Sequence, residues 1–124
     1  MEPFDVLGDP VRRRLVELLG QGERSAGELA DRAGREFGIT QPAVSRHLKV
    51  LRDNGFAVVR VDAQRRLYSL RPEPLTQVET WAGRQRAAWE QRLDALGTEV
   101  ARGRREQRRA APARARIETT EETA

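Results

Sequence analysis

The chain has 124 residues, 38% hydrophobic and 34% charged, with no cysteine, one histidine (His47) and a net charge of +4. That length suits one small domain with a modest core, and the missing residues exclude disulfides, thiolate metal sites, a cysteine nucleophile and a multi-histidine zinc site. No apolar run approaches the ~20 residues that cross a bilayer, and Met1-Glu2-Pro3-Phe4-Asp5 lacks the basic and apolar regions of a signal peptide, so a cytoplasmic protein with no membrane partner is expected.

Taken in order, residues 2–8 form a short helix showing Phe4 and Leu7. Asp9-Pro10 is a helix start, because Asp caps and Pro is preorganised at the first helical position. The helix that follows buries Val11, Leu15, Leu18 and Leu19 and ends at Gly20-Gln21-Gly22. Ser25-Ala26-Gly27-Glu28 is a capping box. Its helix turns Leu29, Ala30 and Ala33 inward and is expected to stop near Gly34, leaving Arg35 to Ile39 as a link. Thr40-Gln41-Pro42 opens the next helix, which ends at Asn54-Gly55. The β-branched run Phe56 to Val61, a turn over Asp62-Ala63-Gln64-Arg65 and the return Leu67 to Leu70 make a hairpin. A long helix then runs from Leu75 to about Arg102. Residues 103–124 lack apolar periodicity and read as a disordered tail. The fold class is mainly α with a small β-hairpin, one winged helix-turn-helix domain over 1–102.

The chemistry sits in the order helix, short link, helix, hairpin, since a second helix with a polar outer face can enter the DNA major groove. In the helix from Thr40 to Asn54, Val44, Leu48 and Leu51 cluster within about 60° on a helical wheel. Pro42, Arg46, Lys49 and Asp53 lie opposite, flanked by Gln41, Ser45 and Arg52. Arg pairs with guanine and Gln with adenine; Ser45 and Lys49 suit phosphates or base edges. An ordinary amphipathic surface helix is the alternative for this segment alone. His47, beside the buried stripe, reads as a packing histidine bonded to a neighbour or a phosphate rather than as a ligand or catalyst. Around the hairpin, Arg60, Arg65, Arg66 and Arg71 form a positive ridge for phosphates or the minor groove, or else a solvated turn. The candidate DNA-binding set is Thr40, Gln41, Pro42, Ser45, Arg46, His47, Lys49, Arg52, Arg65 and Arg66.

On the last helix Leu75, Val78, Ala82, Gln85, Trp89, Leu93, Leu96 and Val100 fall within about 80° of one another, with Trp81 at the edge. So long a stripe has too little partner surface in one small domain. A second copy is the simplest cover, with Phe4, Leu7, Leu75, Val78, Trp81, Gln85, Trp89, Leu93 and Leu96 as the homodimer interface. Gln85, polar at the centre, is expected to fix its register. Intramolecular packing is the other reading. Residues 1–101 hold 16 basic and 15 acidic side chains, whereas 102–116 hold seven Arg and one Glu. That basic stretch either adds nonspecific DNA affinity or is merely solvated.

Leu7-Gly8-Asp9-Pro10-Val11-Arg12-Arg13-Arg14-Leu15, Glu28-Leu29-Ala30 and above all Gln41-Pro42-Ala43-Val44-Ser45-Arg46-His47-Leu48-Lys49-Val50-Leu51, followed by Gly55 and the Arg-rich hairpin to Tyr68, resemble the ArsR-type (arsenic-repressor-like) winged-helix repressors over roughly residues 3–100. The resemblance implies a dimeric repressor on an inverted-repeat operator. It implies reading by Gln41, Ser45 and Arg46 with wing support from Arg65 and Arg66. The Trp-bearing last helix is similar to the metal-independent branch. Two departures stand out: no cysteine pair or His-based set for metal sensing, and a link around Arg35-Glu36-Phe37-Gly38 a few residues longer than usual. No cofactor or metal is expected, and an enzyme has little to work with. A small apolar effector entering near Trp81 and Trp89 is weighed against simple packing of those rings. The competing functions are a winged-helix protein-interaction module and a nonspecific DNA-architectural protein.

Overall fold

The computed structural model describes residues 1–110. The elements run α1 (Pro3–Leu7), α2 (Pro10–Gly20), β1 (Arg24–Ser25), α3 (Ala26–Phe37), α4 (Gln41–Asp53), β2 (Ala57–Asp62), β3 (Arg65–Leu70) and α5 (Glu73–Ala110). This is the expected mainly helical winged helix-turn-helix architecture with a long last helix. The chain divides into two compact units, Met1–Trp81 and the stretch from Ala82 onward.

Each helix of the first unit begins where local chemistry dictates. The Asp9 carboxylate accepts from the backbone N–H of Val11 at 2.8 Å and of Arg12 at 3.2 Å, with Pro10 next in line. Ser25 Oγ accepts from the N–H of Glu28, and Thr40 Oγ1 from that of Ala43. Each cap satisfies donors that the first helical turn leaves unpaired. The apolar stripes then meet: Leu15, Leu18, Leu29, Leu48, Leu51 and Phe56 are fully buried in one core. Each contributes about 1.5–3 kcal/mol by leaving water. In α1 the buried residue is Val6, while Phe4 stays largely exposed.

Three boundaries differ from expectation. Helix α3 continues past Gly34 to Phe37. Gly38, at φ +66°, is the left-handed cap, and its N–H reaches the Gly34 carbonyl at 2.9 Å. A Cβ on Gly34 would lie 3.3 Å from the Ile39 carbonyl oxygen, so Gly34 permits the chain to fold back rather than ending the helix. The long link is thus mostly helix, and only residues 38–40 separate α3 from α4. Second, the sheet has three strands in the order β1-β3-β2, because Arg24 and Ser25 pair antiparallel with Tyr68 and Leu67. A two-residue strand has no alternation to read. Third, α5 continues through residues 103–110, where disorder was expected. Arg, Glu, Gln and Ala are good helix formers, and Arg108 and Arg109 suit the negative end of the helix dipole. The remainder of the expected tail, 111–124, lies outside the described residues.

Candidate nucleic-acid interface

Helix α4 is anchored by one face and open on the other. Val44, Leu48 and Leu51 are buried; Gln41, Pro42, Ser45, Arg46 and Lys49 are exposed. Thirteen residues give a rod about 20 Å long, which a major groove about 12 Å wide admits. Arg46 and Lys49 have no ion pair among the described residues. Their charge is therefore available to an outside acceptor. Thr40 Oγ1 caps α4 by accepting from the Ala43 N–H at 3.3 Å. Arg52 is half-buried toward the far end, with Nε 3.7 Å from Asp53 Oδ1. A shallow open groove lined by Gly27, Ala30, Asp31, Gly34, Arg35 and Gln41 runs from α3 to the amino end of α4.

The wing follows directly. Strands β2 and β3 are in register from Asp62↔Arg65 to Ala57↔Leu70, joined by Ala63-Gln64. Side chains alternate between faces and cross-strand partners share one. Val61 and Arg66 therefore lie on the face that carries buried Ala57 and Tyr68 toward the core. Arg65 lies on the opposite face with Arg60. Both Arg65 and Arg66 are exposed at the tip. Arg65 Nη2 is 3.5 Å from Asp62 Oδ2, whereas Arg66 has no recorded acceptor among the described residues. Adjacent in sequence, the two cannot present the same surface.

Several arginines hold the frame together. Arg60 donates to both carboxylate oxygens of Glu23, at 2.9 and 2.8 Å, and Ser69 Oγ donates to the same group at 3.0 Å. The hydrogen bonds from Arg60 and then Ser69 hold the Glu23 carboxyl below its usual range. Arg60, expected in the ridge facing DNA, is instead a tie between the wing and the segment before β1. Arg14 of α2 forks onto Glu36 of α3 at 2.9 and 3.2 Å, and Arg32 adds a bond at 2.9 Å. Those hydrogen bonds, Arg14's first, push Glu36 down to about 2. Arg12 donates from Nε to the Val6 carbonyl at 2.8 Å and from Nη2 to the Asp5 carbonyl at 3.0 Å. Its Nη1 lies 3.4 Å from Nδ1 of His47. His47 is accordingly half-buried and turned toward α2. Sequence reasoning missed Glu23 and Glu36 because their partners lie 37 and 22 positions away, and Arg12 because its acceptors are backbone carbonyls across the α1–α2 turn, which no spacing rule reports.

The remaining candidates lie on α1 and α5. In the first unit Leu7 and Leu75 pack partly against the core and Val78 is half-buried. Phe4 meets Trp81 edge-to-face, with ring centroids 5.1 Å apart. In the stretch from Ala82, Gln85 is exposed. Trp89, Leu93 and Leu96 retain 57%, 48% and 56% of their surface. The Arg92 guanidinium sits 5.8 Å from the Trp89 ring centroid. Among the described residues no three His, Cys, Asp or Glu side chains are grouped to hold a metal ion. No described helix is long and apolar enough to cross a membrane.

Comparison with known proteins agrees with this geometry. A helix-turn-helix domain family matches residues 7–60. An HTH-type transcriptional regulator of Mycobacterium tuberculosis is 39% identical over 77 residues, covering 62% of this chain and 68% of the relative. A probable mercury resistance operon repressor of Streptomyces lividans is 39% identical over 54% of this chain, which spans only about half (50%) of that relative's length. The crystal structure of an ArsR family transcriptional regulator superposes with a TM-score of 0.62 at 30% identity, over 71% of this chain and 87% of the other. A capped helix with an open polar face, a wing and relatives of this kind together place the chain in the ArsR-type winged helix-turn-helix family of DNA-binding transcriptional regulators.

Proposed function

We propose that the protein is a dimeric repressor that reads an inverted-repeat operator, with Gln41, Ser45, Arg46 and Lys49 on base edges and phosphates and Arg65 and Arg66 at the wing tip. One observation carries the reading: the outer face of α4 is polar, exposed and, among the described residues, without an ion-pair partner at Arg46 or Lys49, while its inner face is locked into the core. Thr40, Pro42 and Arg52 flank that face, and His47 supports it from behind. The half-exposed Trp89, Leu93 and Leu96, with Phe4, Leu7, Leu75, Val78 and Trp81, supply the dimer contact. Gln85 sets its register. A two-fold dimer matches half-sites about one helical turn apart. The donor set of the chain, without cysteine and with one histidine, favours a metal-independent regulator in the cytoplasm.

The test is a titration onto a fluorescent duplex from the protein's own upstream region, at two salt concentrations, against a scrambled duplex. Arg46→Ala should weaken binding ten- to a hundredfold, about 1–3 kcal/mol, and only on the upstream duplex. Sedimentation should show a dimer that Gln85→Leu leaves at least as tight. Failure to bind either duplex at low salt would refute the reading.

A further inference from the structure

Along the stretch of α5 from Ala82, the charge of the outward side changes abruptly. At about 100° per residue, Arg102, Arg104, Arg105, Arg108 and Arg109 fall within an arc of about 160°, shared only with Ala101. The centre of that arc lies about 130° from the apolar stripe of Trp89, Leu93, Leu96 and Val100. Earlier on the same side, Glu90 and Asp94 offset Arg84 and Arg86. Beyond Ala101 no acid interrupts the arc, and Glu106 falls outside it. Because these residues are helical, those three and four positions apart have Cβ atoms about 5–6 Å apart. Among the described residues no carboxylate pairs with Arg102, Arg108 or Arg109, and Arg105 Nε only grazes the Ala101 carbonyl at 3.5 Å.

We infer that this arc is a second, sequence-independent DNA contact, separate from α4 and the wing, that binds duplex phosphates. The partner follows from charge complementarity. Duplex DNA presents about one negative charge per 1.7 Å of axis, and Arg forks match phosphate oxygens bidentately. Arg102, Arg105 and Arg109 lie about 150–170° from the centre of the apolar stripe, so burying that stripe in a dimer leaves these three outward, with Arg104 and Arg108 toward its edge. The folded remainder of the chain, close to neutral over residues 1–101, supplies little general attraction. The arc would therefore account for most nonspecific binding. This inference rests on the DNA-binding reading above.

The experiment compares the full-length wild type with a variant carrying Arg102→Gln, Arg105→Gln, Arg108→Gln and Arg109→Gln, substitutions that keep a good helix former at each site. The probe is a random 40-base-pair duplex titrated over a salt series, with helicity checked by circular dichroism. The variant should bind at least tenfold more weakly at low salt. Its slope of log K against log salt should flatten by about 3–4 per protomer, since each neutralised phosphate contributes about 0.9. Arg46→Ala, run alongside, should flatten the random-duplex slope by no more than about 1 per protomer, the share of a single phosphate contact. An unchanged slope in a helical variant would overturn the arc while leaving operator reading intact. So would loss of binding to immobilised polyglutamate with DNA binding unaffected, which would assign the arc to an acidic protein. A wild type that binds no duplex at all would overturn both readings.

Discussion

The unit Met1–Trp81 and the stretch of α5 from Ala82 carry apolar side chains at the same helical spacing, yet the two treat them differently. In the first, Leu15, Leu48 and Leu51 are sealed by neighbouring helices and by the root of the wing. In the second, Trp89, Leu93 and Leu96 stay about half exposed. Charges follow the same division. Arg12, Arg14, Arg24 and Arg60 are bonded to carbonyls or carboxylates from other parts of the unit, whereas in the stretch from Ala82 Arg92 lies over the Trp89 ring and Arg105 reaches the Ala101 carbonyl of its own helix. Amphipathic spacing thus specifies which face wants cover. What supplies that cover is a question of partner surface within reach.

The sharpest test of this contrast is a matched pair of truncations. Leu51→Ala should cost about 2–5 kcal/mol, because it leaves a cavity in a closed core. A urea titration would show a lowered midpoint at an unchanged slope. Leu93→Ala should cost the dilute monomer less than about 1 kcal/mol, since little packing is lost, and should weaken self-association tenfold or more. Equal losses of monomer stability at the two sites would erase the distinction between the regions.

What the sequence could show follows the same line. The caps at Asp9, Ser25 and Thr40 are local interactions over two or three residues, and all three were legible. So were the buried stripe of α4 and its polar face. The end of α3 was misread because Gly34 looks like a stop until Gly38 is seen to hold the left-handed cap. β1 escaped because its two residues gain meaning only from Tyr68 and Leu67. Arg60 looked like a DNA contact because local charge density cannot reveal Glu23, 37 positions away. Strand alternation also sends Arg65 and Arg66 to opposite faces of the exposed wing tip, which adjacency in sequence does not display.

Arg66 and Arg60 give the next test. Arg66→Gln should flatten the salt dependence of operator binding by about 1 per protomer, as loss of one phosphate contact does. Arg60→Gln should leave that slope unchanged while loosening the wing, visible as faster amide exchange in β2. A slope change for Arg60→Gln as large as that for Arg66→Gln would mean that the Glu23 tie opens on DNA.

The carboxylate between α2 and α3 makes a smaller, pH-dependent contribution. Glu36 falls from an ordinary 4.5 to about 2 through its hydrogen bonds from Arg14 and Arg32. A depressed folded-state value stabilises the fold above the unfolded-state value and ceases to do so as pH falls through the folded one. The stability difference between wild type and Glu36→Gln should therefore be full above pH 4.5 and close between there and about pH 2. A difference independent of pH across that window would show that the carboxylate charge is not what joins the helices.

The smallest expected effect is at the wing tip, the least covered part of the first unit. Ala63 occupies the left-handed region at φ +56° in a two-residue turn. Such turns normally use Gly, Asn or Asp, and a side chain there costs about 1–2 kcal/mol. Glycine removes that cost but loses about 0.5–1 kcal/mol through a freer unfolded chain. Ala63→Gly should therefore stabilise by a few tenths of a kcal/mol up to about 1 kcal/mol, seen as a small rise in melting temperature. Operator affinity should hardly change, because the tip binds through Arg65 and Arg66 rather than through the turn itself. A lowered melting temperature would mean that the turn is not strained and that the register from Asp62↔Arg65 inward holds the hairpin in its shape.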